Sequence, residues 1–213
     1  MLPHQSFDQL LQKYVNAAGK VNYKGFLADQ EQLDAYLESL SGKSPQADWS
    51  RSKKLAHWIN VYNAFTIRLI LDHYPVNSIQ DISGGKPWDK QWIDIGGQTY
   101  SLNQIENDII RPRFGEPRIH FAVNCAAKSC PPLANKAFTE ENLNTLLEQQ
   151  TRAFINNPTF NSITANSLQI SKIFDWYGVD FKNLIEFINK YAEIEISSDA
   201  TVSYKDYNWN LNN

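Results

Sequence analysis

The segment RSKKLAHWINVYNAFTIRLILDH, residues 51–73, is the longest periodic segment of the chain and is expected to organise its core. Its apolar residues recur at spacings of three and four, which predicts an amphipathic helix from near Ser50 to about His73. Pro75 then stops that helix. Apolar residues lie on more than one side, so we expect a central and mostly buried helix. The apolar positions are Leu55, Trp58, Ile59, Tyr62, Phe65, Leu69 and Ile70.

Shorter elements flank this helix on both sides. Residues 1–50 are predicted to form a helical N-terminal part, because apolar residues recur with helical spacing over 6–18 and 29–40. After the long helix, Gly96-Gly97 suits the tight turn of a hairpin, and Ser101 with Gln104 forms a capping-box pattern at a helix start. The apolar run RIHFAVNC, residues 118–125, predicts a buried strand. A second hairpin turns near residues 165–166, and a late strand follows.

These elements predict one α+β domain over residues 1–213, with 51–213 as its core. We expect a small antiparallel sheet that packs on the long helix. The 213 residues carry a net charge of −3, which argues against nucleic acid or an anionic membrane as the main partner. No run approaches the roughly 20 apolar residues of a transmembrane helix. The start, MLPHQSFDQL, lacks the basic and apolar regions of a signal peptide, so none is expected.

Both cysteines and one of four histidines fall within eleven residues, from His120 to Cys130. A thiol beside an imidazole is the minimum apparatus for nucleophilic acyl chemistry. In a straight strand, His120 and Cys125 would lie on opposite faces, roughly 17 Å apart, and could not touch. Cys130 follows a short loop that can fold back. Pro131 suits the first position of a helix, which would make Cys130 its N-cap and lower the pKa of the thiol, and Lys128 adds positive charge.

The residues therefore favour Cys130 as nucleophile and His120 as general base and then acid. A third group should orient the imidazole. Glu106, on the preceding helix, is the first candidate, and Asp108 and Asn124 are weaker ones. The backbone N–H of Cys130, with a side-chain amide such as that of Asn124, would form the oxyanion hole.

Two asparagines on the long helix, Asn60 and Asn63, lie three residues apart and hence on one face. A buried asparagine needs hydrogen-bond partners. One interpretation is that both bond the backbone of a neighbouring loop. The other is that they line or brace a site and support the substrate there.

Other readings of the cysteine cluster stay open. Cys125 and Cys130 could form a disulfide, although their spacing gives this no special support, and Cys125 alone suits a small core residue. The spacing H-x4-C-x4-C matches no zinc pattern. We therefore expect no metal site and no cofactor.

Several stretches together resemble a known family: HWINVYNAFTIRLILDHYPVNSI, PWDKQWIDIGGQTYSLNQIENDIIRPRFGEPRIHFAVNCAAKSCPPL, TRAFINNP, SKIFDWYGVDF and YNWNLN. The chain resembles the family called domain of unknown function 547, from about Leu55 to Asn212. The resemblance implies a papain-like thiol-hydrolase architecture with a Glu-His-Cys triad, carried here by Glu106, His120 and Cys130. In papain-type enzymes the cysteine precedes the histidine, so a circular permutation is implied. Bacterial members of that family are often exported, and the resemblance therefore implies a periplasmic or extracellular location.

The expected function is a thiol hydrolase, a peptidase or amidase that cleaves a peptide or amide substrate through an acyl-enzyme. One alternative is a non-catalytic module for peptides or glycans, with structural cysteines. Another is a transglutaminase-like acyl transferase with the same triad. The oligomeric state is not readable from the sequence. Aromatic residues suited to a binding surface are Trp88, Trp92, Trp176, Tyr177 and Trp209.

Overall fold

The computed structural model describes residues 4–213, so residues 1–3 of the predicted N-terminal part, and with them the start of the chain, lie outside the described residues. Helices and short strands are mixed, which confirms the α+β class. The N-terminal part is helical as predicted, with α1 at Gln5–Tyr14, α2 at Tyr23–Ala28 and α3 at Gln30–Ser41. Among these residues no helix is both long enough and apolar enough to cross a membrane.

The long helix is confirmed as α4, Arg51–Asp72. Ser50 caps it by accepting a hydrogen bond from the backbone N–H of Lys53. Its whole middle is buried, and α2, α3 and the helix after the hairpin pack around it. Each fully buried Leu or Ile there contributes about 1.5–3 kcal/mol of transfer free energy. The helix is therefore the centre of the larger of two hydrophobic clusters.

The predicted hairpin is also confirmed, as β1 at Ile93–Ile95 and β2 at Gln98–Tyr100. Gly96 and Gly97 both have positive φ, as a two-residue turn of this type requires. The predicted capping box of Ser101 and Gln104 begins α5, Leu102–Gln104. This helix continues as a π-helix over Ile105–Ile110 and ends as α6, Arg111–Phe114.

The second hydrophobic cluster holds the C-terminal elements. They are α7 at Leu143–Ile155, β3 at Ser162–Ile163, β4 at Ser167–Ile170, α8 at Ile173–Trp176, α9 at Gly178–Phe181, α10 at Leu184–Asn189 and β5 at Thr201–Tyr204. The predicted second hairpin is β3–β4, but β5 pairs in parallel with β4, so the sheet is mixed. A crossover through three helices allows that parallel return. The inner side chains of β4 pack in this second cluster and not on α4.

The strand prediction for residues 118–125 is wrong. Residues Pro117–Phe121 form a 3-10 helix, and turns follow. The run is apolar because it lies between the two clusters: Ile119 belongs to the larger one and Phe121 to the smaller. The side chain of Asn63 pairs with backbone groups here that a strand would have paired with a neighbour. Burial without sheet pairing thus explains the misleading pattern.

Candidate active site

A cleft of about 200 Å³, partly open to solvent, brings the three residues of the predicted triad together. Glu106 reaches it from the π-helix, His120 from the 3-10 helix, and Cys125 and Cys130 from the turns that follow. Aromatic side chains from the C-terminal segments complete its walls. π-Helical turns are frequent at functional sites, and this one carries Glu106. The residues of the sequence-predicted triad thus line one cavity.

The imidazole of His120 is buried and held in one orientation. Its Nε2 lies 2.7 Å from Oδ2 of Asp180, and its ring stacks on that of Tyr177 with centroids 4.1 Å apart. Because Nε2–H donates to a carboxylate, Nδ1 carries the basic lone pair. Nδ1 is buried and has no hydrogen-bond partner among residues 4–213. The ring is therefore oriented with its basic nitrogen uncommitted.

Asp180, on α9, is the group that orients the imidazole. Arg111 holds the same carboxylate through two hydrogen bonds, Nε to Oδ2 at 2.6 Å and Nη2 to Oδ1 at 3.1 Å. The hydrogen bond from His120, and then the bonds and charge of Arg111, hold the pKa of Asp180 well below its usual range. The carboxylate therefore stays ionised at neutral pH and can stabilise an imidazolium.

Glu106, the sequence-predicted partner of the imidazole, does not hold that place. It makes no hydrogen bond to His120, whose Nε2 is taken by Asp180. Asp108, the weaker candidate, is exposed on the outer side of the π-helix. Glu106 is 5% exposed and lines the cleft near Tyr177. Burial raises the pKa of Tyr177, and the nearby Glu106 carboxylate raises it further.

Both thiols are free, so no disulfide joins Cys125 and Cys130. Cys125 is half-buried and Cys130 is 6% exposed. The backbone N–H of Cys125 donates to Sγ of Cys130 at 2.9 Å, and Sγ of Cys125 lies 3.2 Å from the hydroxyl of Tyr207. No group of three or more His, Cys, Asp or Glu within residues 4–213 is placed to hold a metal ion.

The two thiols differ in acidity. A hydrogen bond from the Cys130 thiol lowers the pKa of Cys125, and the Tyr207 hydroxyl lowers it further despite the opposing effect of burial. Burial raises the pKa of Cys130 well above its usual range. Burial likewise raises the pKa of Tyr207, so its hydroxyl remains a donor. These contacts favour a thiolate at Cys125, whereas the one backbone N–H that stabilises a Cys130 thiolate does not offset its burial.

Three local expectations for the two cysteines differ from the structure. No helix begins at Pro131, so Cys130 is not an N-cap and gains nothing from a helix dipole. Its backbone N–H donates to the carbonyl of Ala127 at 3.1 Å and is not available as an oxyanion donor. The expected separation of His120 from Cys125 assumed a strand, and both residues in fact line the same cleft.

The amides of Asn60 and Asn63 bond the backbone of neighbouring loops. Asn63 donates to the carbonyl of Ala122 at 2.9 Å and accepts from the N–H of Asn124 at 2.9 Å. Asn60 does the same with Phe138, at 2.7 Å and 3.0 Å. Asn63 thus braces the segment between His120 and the cysteines, whereas Asn60 braces a loop beyond them.

Asn124 is committed in the same way. Its Nδ2 donates to the carbonyl of Pro131 at 2.8 Å, and its Oδ1 accepts from the N–H of Ala126 at 2.9 Å. The amide of Asn212 also donates to that oxygen at 3.1 Å. The side chain therefore ties the two ends of the cysteine loop together, and it supports the site by bracing the backbone.

Asp180 and Tyr207 are the site residues that sequence reasoning missed. Asp180 lies 60 residues from His120, and Tyr207 lies 82 residues from Cys125, so no local spacing joins them. The available signal was that both fall in stretches that resemble the family, SKIFDWYGVDF and YNWNLN. An acidic or hydroxyl side chain within such an aromatic stretch is the feature to examine.

Comparison with known proteins gives one match. The model of the family described as "Protein of unknown function, DUF547" matches residues 46–155. This range includes α4, Glu106, His120 and both cysteines, and it ends before Asp180 and Tyr207. No curated protein and no solved structure matches the chain.

Proposed function

This chain belongs to the DUF547 family, whose description assigns no function, and we propose that it is a thiol hydrolase that cleaves peptide or amide bonds through an acyl-enzyme. The observation that carries the proposal is the state of His120. Its Nε2–H is held by Asp180, its Nδ1 is buried without a partner, and two free thiols line the same cleft. An oriented base in the same cleft as a thiol of lowered pKa supports nucleophilic catalysis.

The attacking sulfur in this proposal is that of Cys125. It is the more exposed thiol, and the hydrogen bonds from Cys130 and Tyr207 stabilise its thiolate. Cys130, the nucleophile favoured by the sequence, then serves as a hydrogen-bond donor to that thiolate. Apo geometries of such pairs are often long and tighten only with substrate, so the uncommitted Nδ1 of His120 is compatible with the role of base.

The steps follow from these assignments. His120 Nδ1 accepts the proton of the Cys125 thiol, and the thiolate attacks the carbonyl carbon to give a tetrahedral oxyanion. That intermediate collapses to a thioester while the imidazolium gives its proton to the departing amine. Water then attacks the thioester, His120 accepts its proton, and the carboxylic acid and free thiol are released. Asp180 stabilises the imidazolium of each half-reaction.

The architecture we propose is papain-like and circularly permuted. Here the histidine precedes the cysteines, and the orienting Asp180 follows them. A triad is defined by geometry and roles, so its order in the chain does not weigh against the proposal. The support is the family resemblance together with the chain order of these residues.

The test is turnover of fluorogenic peptide amides and esters by the full chain and by matched variants. We expect Cys125→Ser and His120→Gln each to lower kcat/KM by at least about 10³-fold. Cys130→Ser should keep measurable turnover, because its thiol acts only as a donor. Retention of full turnover by both cysteine variants would refute a thiol mechanism. Loss in Cys130→Ser alone would move the nucleophile to Cys130.

A further inference from the structure

The cleft has an aromatic wall, of which the proposed chemistry uses only the hydroxyl of Tyr207. Tyr207 and Trp209 have ring centroids 4.6 Å apart, and Trp176 lies 4.8 Å from Tyr207 and 5.8 Å from Trp209. Trp88 extends the wall, 5.6 Å from Trp209. Trp176 is 44% exposed although it is a large apolar side chain. Such a contiguous aromatic surface at the mouth of a cleft indicates a ligand that contacts rings.

The same cleft contains one formal charge. Among the described residues that line it, Glu106 is the only acidic one, and none is Lys or Arg. Glu106 is only 5% exposed, and it forms no salt bridge with any described residue. Glu106 lies near enough to Arg111 to raise the pKa of that guanidinium, and it also interacts with Tyr177, but no salt bridge compensates its burial. A cation in the cleft would therefore offset part of the free-energy cost of burying this carboxylate.

The chemistry of the thiol does not cancel this charge. The charge of Glu106 raises the pKa of Cys125, so the two groups are close enough to interact. When Cys125 gives its proton to His120, the thiolate and the imidazolium offset each other, and Glu106 remains as the net negative charge of the cleft. Aromatic faces carry negative potential as well, and Trp is the best of the aromatic side chains at attracting a cation. The aromatic rings and the carboxylate of Glu106 therefore both favour a cationic ligand over an anionic one.

We propose that this cleft binds the organic cation of its substrate, an ammonium or guanidinium group, between the wall of Trp88, Trp176, Tyr207 and Trp209 and the carboxylate of Glu106. This inference deepens the proposed function by naming the class of substrate. The expected preference in turnover rests on the hydrolase proposal, whereas the expected binding of the cation does not. A hydrolase with this cleft prefers peptides or amides that carry a basic group near the scissile bond.

The experiment is equilibrium binding, followed by the fluorescence of the tryptophans, to the full-length Cys125→Ser variant. The probes are Nα-acetyl-lysine amide and Nα-acetyl-norleucine amide, which differ chiefly in the ammonium group. N-Acetylglucosamine serves as a neutral glycan probe. We expect the lysine probe to bind at least about tenfold more tightly than either of the other two.

Variants locate the cation. Glu106→Gln should abolish the preference for lysine, whereas Asp108→Asn, an exposed acid on the same π-helix, should leave it unchanged. Trp176→Ala should weaken the lysine probe by about two- to thirtyfold. Because Trp176 is exposed, this variant tests the proposal even if Glu106→Gln fails to fold. Equal binding of the lysine and norleucine probes, or tighter binding of the sugar, would overturn the inference.

The outcome is separable from that of the hydrolase proposal. Cys125→Ser cannot form an acyl-enzyme, so a preference for lysine in that variant stands even if the wild-type chain turns over no amide. Turnover of neutral and basic amides at equal kcat/KM by the wild type would instead retain the hydrolase and remove the cation preference.

Discussion

Replacement of Asn63 by Ala is the sharpest test of how the fold builds the site. The change removes two buried hydrogen bonds, to the carbonyl of Ala122 and from the N–H of Asn124. Each orphaned backbone group costs about 1–3 kcal/mol, so the free energy of unfolding should fall by about 2–6 kcal/mol. For a domain of this size the melting temperature changes by about 2–4 °C per kcal/mol, which predicts a fall of about 4–24 °C.

Asn60→Ala is the matched control, because it removes two equivalent bonds to the backbone of Phe138. Urea unfolding should give a similar loss of stability for both variants. Alkylation of Cys125, measured well below both melting temperatures, should slow only in Asn63→Ala, because only Asn63 braces the segment between His120 and the cysteines. Equal alkylation rates in the two variants, or a loss of less than about 1 kcal/mol in Asn63→Ala, would refute this reasoning.

Three further predictions follow from the geometry and charges. For any substrate that the protein hydrolyses, steady-state kinetics should show that Asp180→Asn lowers kcat/KM by about 10²–10⁴-fold. The exposed Asp175 provides the control, and Asp175→Asn should leave kcat/KM unchanged. Equal effects of the two variants would refute the orienting role of Asp180. Tyr207→Phe removes a donor to Cys125, so the alkylation profile of Cys125 should move to higher pH, and an unmoved profile would contradict the 3.2 Å contact. Burial lowers the pKa of His57 to about 3, compared with about 6.5 in the unfolded chain. The stability that the neutral side chain contributes is therefore fully present above a pH of about 6.5 and is lost as the pH falls toward 3. Urea unfolding should show that the free energy of unfolding of His57→Phe depends less on pH over that range than that of the wild type. Parallel pH profiles of the two proteins would contradict the lowered pKa of His57.

Local patterns in the sequence were sufficient for the elements that depend on neighbouring residues. The spacing of apolar residues located α4, the Gly96-Gly97 pair located the first hairpin, and Ser101 with Gln104 located the next helix. In each case the deciding interactions join residues a few positions apart. Periodicity and turn chemistry record such interactions directly.

The apolar pattern led to a wrong prediction where a buried segment is not paired in a sheet. Residues 118–125 are apolar because two clusters enclose them, and a short apolar run does not distinguish a strand from another buried segment. The expectation that His120 and Cys125 lie far apart rested on that strand. Once the strand is replaced by a 3-10 helix and turns, Cys125 reaches the cleft and Cys130 loses its place at a helix start.

The partners of the site residues were beyond local reasoning. His120 was identified from its place beside the cysteines, but its orienting group, Asp180, comes from a helix 60 residues later. Glu106 was predicted to lie at the site and does line the cleft, with a different neighbour from the one expected. Contacts of this kind arise when two clusters meet, and the local pattern of a single sequence does not record them.

The activation of the Cys125 thiol can be measured as its rate of alkylation by iodoacetamide as a function of pH, with the labelled residue identified by peptide mass. We predict that Cys125 is labelled before Cys130, that its profile has a midpoint below the ordinary thiol value of about 8.5, and that His120→Gln slows the reaction. Preferential labelling of Cys130, or an ordinary profile for Cys125 that His120→Gln does not change, would contradict the claim that these residues form an activated thiol.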